Sequence, residues 1–225
     1  MMAKRTVAFL LLVCLFVIET PFYSSAETEN SFRVALTFDD GPHPRYTDMI
    51  LDVLSEHDIF ATFFVIGKNV ENYPKPFLRT IAEGHEIGNH TYSHPHMRRL
   101  SEEAIAAEIA HCQNVIEQVG GISPTLFRPP EGYSSEAEIE LLQSIGITPI
   151  FWDVDTRDWA GNDATRIARI VSTSVNADAI ILFHDYVSCK NTTVNALREI
   201  IPALKKRGAV FCTVSEMINE KAVNH

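Results

Sequence analysis

Val34-Ala35-Leu36-Thr37-Phe38, followed at once by Asp39-Asp40-Gly41-Pro42, sets the pattern of this chain: a short apolar run that ends in chemistry-bearing residues. The pattern recurs along the sequence. Glu86-Ile87-Gly88-Asn89 leads into His90-Thr91-Tyr92-Ser93-His94, and Leu126-Phe127 leads into Arg128-Pro129-Pro130. Ile150-Phe151-Trp152 precedes the stretch from Asp155 to Trp159, and Ala179-Ile180-Ile181-Leu182-Phe183 precedes His184-Asp185. Apolar runs of this length read as buried strands. In parallel α/β folds, ligands bind beyond the carboxyl ends of the strands. Five strand ends bearing Asp, His and Arg therefore converge on one rim.

Working outward, apolar runs occupy residues 33–38, 61–66, 86–89, 125–128, 149–153, 179–183 and 209–214. Helical patterns separate them at 46–57, 75–83, 101–119, 135–145, 164–175 and 194–207. The helix at Ser101 opens on Ser-Glu-Glu-Ala, repeats Ile105, Ile109, Cys112 and Ile116 on one face, and is stopped by Gly120-Gly121. Seven strands alternating with about six helices predict a parallel sheet with right-handed crossovers, as an open doubly wound sheet or a (β/α) barrel. No repeat, low-complexity linker or second composition regime interrupts residues 27–225, which read as a single domain.

The chain has 225 residues, 46% hydrophobic and 21% charged, with a mean hydropathy of +0.00. That composition is globular and excludes a disordered, collagenous or polytopic membrane protein. Residues 1–26 read as a signal peptide: Lys4 and Arg5, then 13 uncharged residues from Thr6 to Ile18, then Ser24-Ser25-Ala26 before the cleavage site. The apolar run is shorter than a membrane span needs, so export is expected, with no stable membrane insertion once the leader is removed. The product is expected to be secreted, extracellular or associated with the cell wall. Removing the leader leaves 17 basic and 28 acidic residues, a net charge of −11, which disfavours a nucleic-acid partner. Cys112, Cys189 and Cys212 then remain. An odd number leaves at least one free thiol or a bond between chains. Cys112 and Cys212 read as buried, with room for a Cys189–Cys212 disulfide.

His90 and His94 are spaced i, i+4, which on a helical turn puts both imidazoles on one side. A carboxylate from a neighbouring strand end, Asp39 or Asp40, completes a two-His, one-carboxylate face with open positions for water and substrate. One Asp can hold a cation while the other acts as general base. His96 breaks that face and reads as a loop residue.

In their order and spacing, TFDDGP at 37–42, HTYSH at 90–94, RPP at 128–130, DTRDW at 155–159 and LFH at 182–184 resemble the five motifs of the polysaccharide deacetylase family. This is the NodB-homology, or carbohydrate esterase family 4, catalytic domain. The resemblance spans residues 32–218 and implies a distorted, TIM-barrel-like (β/α) barrel of about seven parallel strands. It further implies metal-dependent hydrolysis of acetyl groups, usually the N-acetyl of GlcNAc-type sugars. By matched position, Asp39 is implied as base, Asp40, His90 and His94 as metal ligands, and His184 as general acid. Arg128 would orient and tune Asp39, Asp158 would pair with His184, and Trp159 with Leu182 would wall the acetyl pocket. Where family members carry an aromatic residue and Gly after the prolines, this chain has Glu131-Gly132-Tyr133. The N–H of Glu131 keeps its place as oxyanion donor, while Glu131 and Tyr133 become candidates for substrate fit.

The expected reaction is N-deacetylation of a β-1,4-linked aminosugar glycan, peptidoglycan GlcNAc or chitin oligosaccharide. O-deacetylation of xylan and a glycan-binding pseudoenzyme are the alternatives. The expected cofactor is a divalent cation, zinc first, since such a donor set also accepts cobalt, nickel or iron. Glycan is the only partner indicated.

Overall fold

The computed structural model describes residues 31–186 and 191–223. The expected leader and Cys189, hence the Cys189–Cys212 pairing, lie outside the described residues. β1, Phe32–Asp39, is central. It pairs with β7, Ala179–His184, along one edge; β8, Ala209–Phe211, takes its first residues and β2, Thr62–Val65, its last. β3 (Glu86–Asn89), β4 (Leu126–Phe127) and β5 (Thr148–Pro149) continue on the side of β2, and β6 (Val154–Asp155) lies beyond β7. The order is β5-β4-β3-β2-β1-β7-β6, with β8 on β1. Every pairing is parallel, so the carboxyl ends gather at one rim. This is the distorted barrel expected from the sequence.

The distortion has a local cause. Residues 149–153, expected as one strand, form none of their own: Pro149 ends β5, β6 begins only at Val154, and those two strands sit at opposite ends of the sheet. Between them the carbonyls of Ile150 and Phe151 accept hydrogen bonds from the Arg128 guanidinium at 3.4 and 3.2 Å. Spent on a side chain, those carbonyls build no ladder, and the barrel stays open there.

Strand alternation builds two layers. Val34, Leu36 and Phe38 of β1 join Phe63, Val65, Ile181 and Phe183 against the helices. Ala35, with Phe64 and Ile150, belongs to a separate inner cluster. The same alternation sends Thr37 and Asp39 inward, where Arg128 meets both.

The helices are α1 (Tyr46–Glu56), α2 (Gly67–Asn72), α3 (Pro74–Ala82), α4 (Glu102–Gly120), α5 (Glu136–Ser144), α6 (Ala164–Ser174), α7 (Thr192–Lys206) and α8 (Val214–Val223). α4 is capped as its sequence demands: Ser101 Oγ accepts from the Ala104 N–H and Gly121 takes φ 67°. α2 and α8 are additions to the sequence reading. Cys112 and Cys212 are buried as expected. Burial pushes the Cys112 thiol up to about 12, which keeps it inert. Among the described residues no helix is long and apolar enough to cross a membrane.

Candidate active site

The five strand ends meet around a cleft of about 440 Å³. Asp39, Asp40, His90, His94, Glu131, Trp159, Leu182 and His184 line it, together with Trp152 and Asp155.

Arg128 organises the floor. Its side chain is fully buried, its Nη1 donates to Thr37 Oγ1 and to Asp39 Oδ1 at 2.7 Å each, and its guanidinium lies over the Phe64 ring at 4.1 Å. With Oδ1 held, Asp39 turns Oδ2 toward His90 Nε2, 3.8 Å away. The Arg128 carbonyl lies 2.7 Å from His90 Nδ1, so that nitrogen carries a proton and donates it, leaving Nε2 for the cleft.

Asp40, His90 and His94 present one ligand atom each, all within 4.8 Å of one another. Asp40 Oδ1 stands 3.4 Å from Nε2 of His90 and 3.4 Å from Nε2 of His94. That oxygen is buried and has no hydrogen-bond partner. Burial opposes its charge, yet His90, His184 and His94 outweigh burial and hold the Asp40 carboxyl down at about 2. Burial likewise opposes a charge on His90, but Asp39 and Asp40 raise its pKa. Burial, then His90, lowers that of His94. The carboxylates thus demand positive charge between the imidazoles, and a divalent cation satisfies that demand with both rings neutral. The donor set fits the expected cation.

The loop that brings the histidines together is not the helical turn suggested by their spacing. Residues 90–96 are irregular, and Thr91 (φ 68°) and His94 (φ 55°) adopt left-handed conformations. Buried Asn89 holds the loop: its Oδ1 accepts from the Thr91 N–H while its Nδ2 donates to the Ile109 carbonyl of α4. Asp40 is also left-handed, at φ 74°. Next to it, a Cβ on Gly41 would lie 2.1 Å from Asp185 Oδ2, so only glycine lets that buried carboxylate pass.

Across the cleft, His184 Nδ1 donates to Asp158 Oδ1 at 2.8 Å, again freeing Nε2. Asp158 also accepts from the N–H groups of Trp159 and His184 and from the Thr193 hydroxyl. Burial opposes a charged His184, but Asp158, then Asp39 and Asp40, outweigh it and raise its pKa to about 9. Trp159 is 55% exposed and Leu182 buried, on the cleft wall.

Glu131 reaches the rim with φ 59°, and its carboxylate pairs with His96 Nδ1 at 2.8 Å. That turn's own bonds run from the N–H groups of Gly132 and Tyr133 to Pro129 and Pro130. Tyr133, a candidate for substrate fit, is not brought to the cleft. Its ring packs against the cluster of Met97, Ile105 and Phe127, under the Arg98 guanidinium at 4.3 Å. Sequence reading passed over Thr37, Asn89, Trp152, Asp155 and Thr193 as site residues. Trp152 lies in the apolar run at 149–153, Asp155 opens the stretch after it and Thr37 opens the first motif, so these three carried a positional signal; Asn89 and Thr193 carried none.

The chain's similarities agree with this geometry. The family profile described as polysaccharide deacetylase matches residues 26–150. A peptidoglycan-N-acetylglucosamine deacetylase of Bacillus cereus is 37% identical over 207 residues, covering 91% of this chain and 97% of the relative. A chitooligosaccharide deacetylase of Bradyrhizobium is 38% identical over 187 residues, covering 78% and 85%. A solved peptidoglycan N-acetylglucosamine deacetylase superposes with a TM-score of 0.81 at 38% identity, covering 85% of this chain and 90% of that one. With its five motifs assembled at one rim and a match over more than half its length, the chain belongs to the polysaccharide deacetylase family of hydrolases.

Proposed function

We propose that this chain is an exported N-deacetylase of β-1,4-linked aminosugar glycan, acting on peptidoglycan GlcNAc or chitin oligosaccharide with zinc as its native metal. One observation carries the reading: the partnerless, buried Asp40 Oδ1 lies 3.4 Å from both imidazole nitrogens, with Asp39 and His184 at hand around the same cleft. Asp40, His90 and His94 would hold the cation. When bound, a divalent cation polarises the acetamide carbonyl and lowers the pKa of a coordinated water.

The chain's own groups do the rest. Asp39, fixed through Oδ1 by Arg128, offers Oδ2 to take a proton as water attacks the carbonyl carbon. The backbone N–H of Glu131, a residue that lines the cleft, would meet the oxyanion. His184, protonated at neutral pH because of Asp158, gives its proton to the leaving amine as the C–N bond breaks. The products are acetate and a free amine; Asp39 then loses its proton to solvent and His184 regains one. Trp159 and Leu182 wall the site of the acetyl methyl.

The kinship to peptidoglycan and chitooligosaccharide deacetylases supports the substrate class. The intact set of Asp39, Asp40, His90, His94 and His184 favours turnover over binding alone. Export rests on the composition of residues 1–26, and the mass of the secreted product checks it: a chain beginning at Glu27 is expected.

The decisive experiment is acetate release from chitin oligosaccharides, peptidoglycan fragments and acetylated xylan, with chelator and with zinc or cobalt restored. Metal-restorable release from an aminosugar substrate is expected. Release from xylan alone would move the assignment to an O-deacetylase, and no release despite bound metal would overturn catalysis.

A further inference from the structure

In the two loops that carry Asp40, His90 and His94, three residues adopt conformations that non-glycine residues avoid: Asp40 at φ 74°, Thr91 at 68° and His94 at 55°. Two of them are proposed cation ligands. Such backbone is strained and persists only where surrounding structure over-determines it. What over-determines it here comes from a strand end that contributes no member of the five motifs.

After β2, residues 66–69 open the short helix α2, whose first N–H groups have no partner within the helix. They find partners in the two cation loops. Ile66 N–H donates to the Gly41 carbonyl at 2.9 Å, Gly67 N–H to the Thr91 carbonyl at 3.0 Å, and Lys68 N–H to the Tyr92 carbonyl at 2.9 Å. Asn69 then adds its side chain: Nδ2 donates to the carbonyl oxygen of Asp40 at 2.7 Å. Four successive residues thus tie the Asp40 loop to the His90–His94 loop. Gly67 is what lets the tie fit, since a Cβ there would lie 2.9 Å from Tyr92 Cδ2 and 3.0 Å from Cys112 Cα in α4.

Three of these bonds come from main chain and tolerate many side chains. The fourth depends on one residue type. It acts directly on the left-handed ligand, and no nearby backbone N–H duplicates it, because those of residues 66–68 are committed elsewhere. We infer that Asn69 is a positioning residue for the cation centre, holding the backbone of Asp40 so that its Oδ1 faces both imidazoles. Its role is indirect: the side chain touches the ligand's main chain and not the reacting atoms. The inference rests on the proposed cation role of Asp40, His90 and His94.

Cobalt binding to metal-free full-length protein tests it, with affinity and the visible cobalt spectrum as readouts beside urea unfolding. Asn69→Ala removes the donor, and the isosteric Asn69→Asp turns a carboxylate toward a carbonyl. Asn69→Gln keeps a donor on a longer arm. Loss of an outer partner of a metal ligand costs roughly 10–100-fold in affinity. A fall of that size for Ala and Asp, with an altered spectrum and partial recovery for Gln, is the expected result. Cobalt affinity and spectrum equal to wild type in Ala and Asp overturn the inference. So does lowered metal-free stability with unchanged affinity, which makes Asn69 merely structural. Wild-type protein that binds neither cobalt nor zinc overturns the cation reading itself, a failure distinct from the other two.

Discussion

Asp158→Asn isolates what the fold does to His184. In the native protein Asp158 accepts four hydrogen bonds, from Trp159 N–H, His184 N–H, the Thr193 hydroxyl and His184 Nδ1. Burial alone would lower the His184 pKa; Asp158 is the largest influence raising it, to about 9. Against an ordinary value near 6.5, that difference is worth about 3 kcal/mol between the protonated and neutral forms. Asparagine keeps the shape but removes the charge, so the imidazole should return toward 6.5. At pH 8 the native acid is then about nine-tenths protonated and the variant only a few per cent, a fall of about 30-fold in kcat from this cause alone. At pH 5.5 both are protonated and this deficit disappears. The assay is kcat against pH for acetate release from a chitin oligosaccharide, with both proteins zinc-loaded. An alkaline limb that stays put in a variant shown to be folded would refute His184 as the acid raised by Asp158. Stability carries the same sign. A folded pKa above the unfolded one stabilises fully below pH 6.5 and is lost as pH rises through 9. Urea midpoints of the native protein should therefore fall over that window, and those of the variant should change less.

The remaining predictions concern the other half of the cleft. Arg128→Met leaves Asp39 buried without its partner and should cost about 3–5 kcal/mol by urea unfolding, since breaking a fully buried pair strands a charge. Asp39→Asn should keep cobalt affinity near that of wild type while abolishing acetate release, whereas His90→Ala should lose both; equal metal loss in the two would undo the separation of base from ligand. Chelation should stop acetate release and zinc or cobalt should restore it, with release persisting in excess chelator as the contrary result. Gly41→Ala drives a methyl group into the Asp185 carboxylate and should unfold at lower urea; an unchanged midpoint would show that the loop gives way freely.

How far the site could be read in advance depended on the kind of interaction. Asp39, Asp40, His90, His94, Arg128 and His184 each close or follow an apolar run, and a parallel sheet delivers every such residue to one rim. Thr37 and Thr193 act through single hydrogen bonds to Arg128 and Asp158, from 91 and 35 residues away. No local pattern marks a partner at that separation. Tyr133 shows the converse: two residues past Glu131, it is carried by the turn into the cluster beside α4 and away from the cleft.

The sequence by itself determined the alternation of strands and helices, the parallel sheet, the rim at which the chemistry gathers and most of the residues that line it. Those follow from periodicity and order, which are local properties of the chain. Tertiary structure alone decided three things. It left residues 150–153 outside any strand, between β5 and β6, where the carbonyls of Ile150 and Phe151 turn to Arg128. It brought His90 and His94 together through a left-handed loop instead of a helical turn. And it recruited residues 66–69 to tie the two ligand loops, because helix α2 begins with unpaired N–H groups where those loops present their carbonyls.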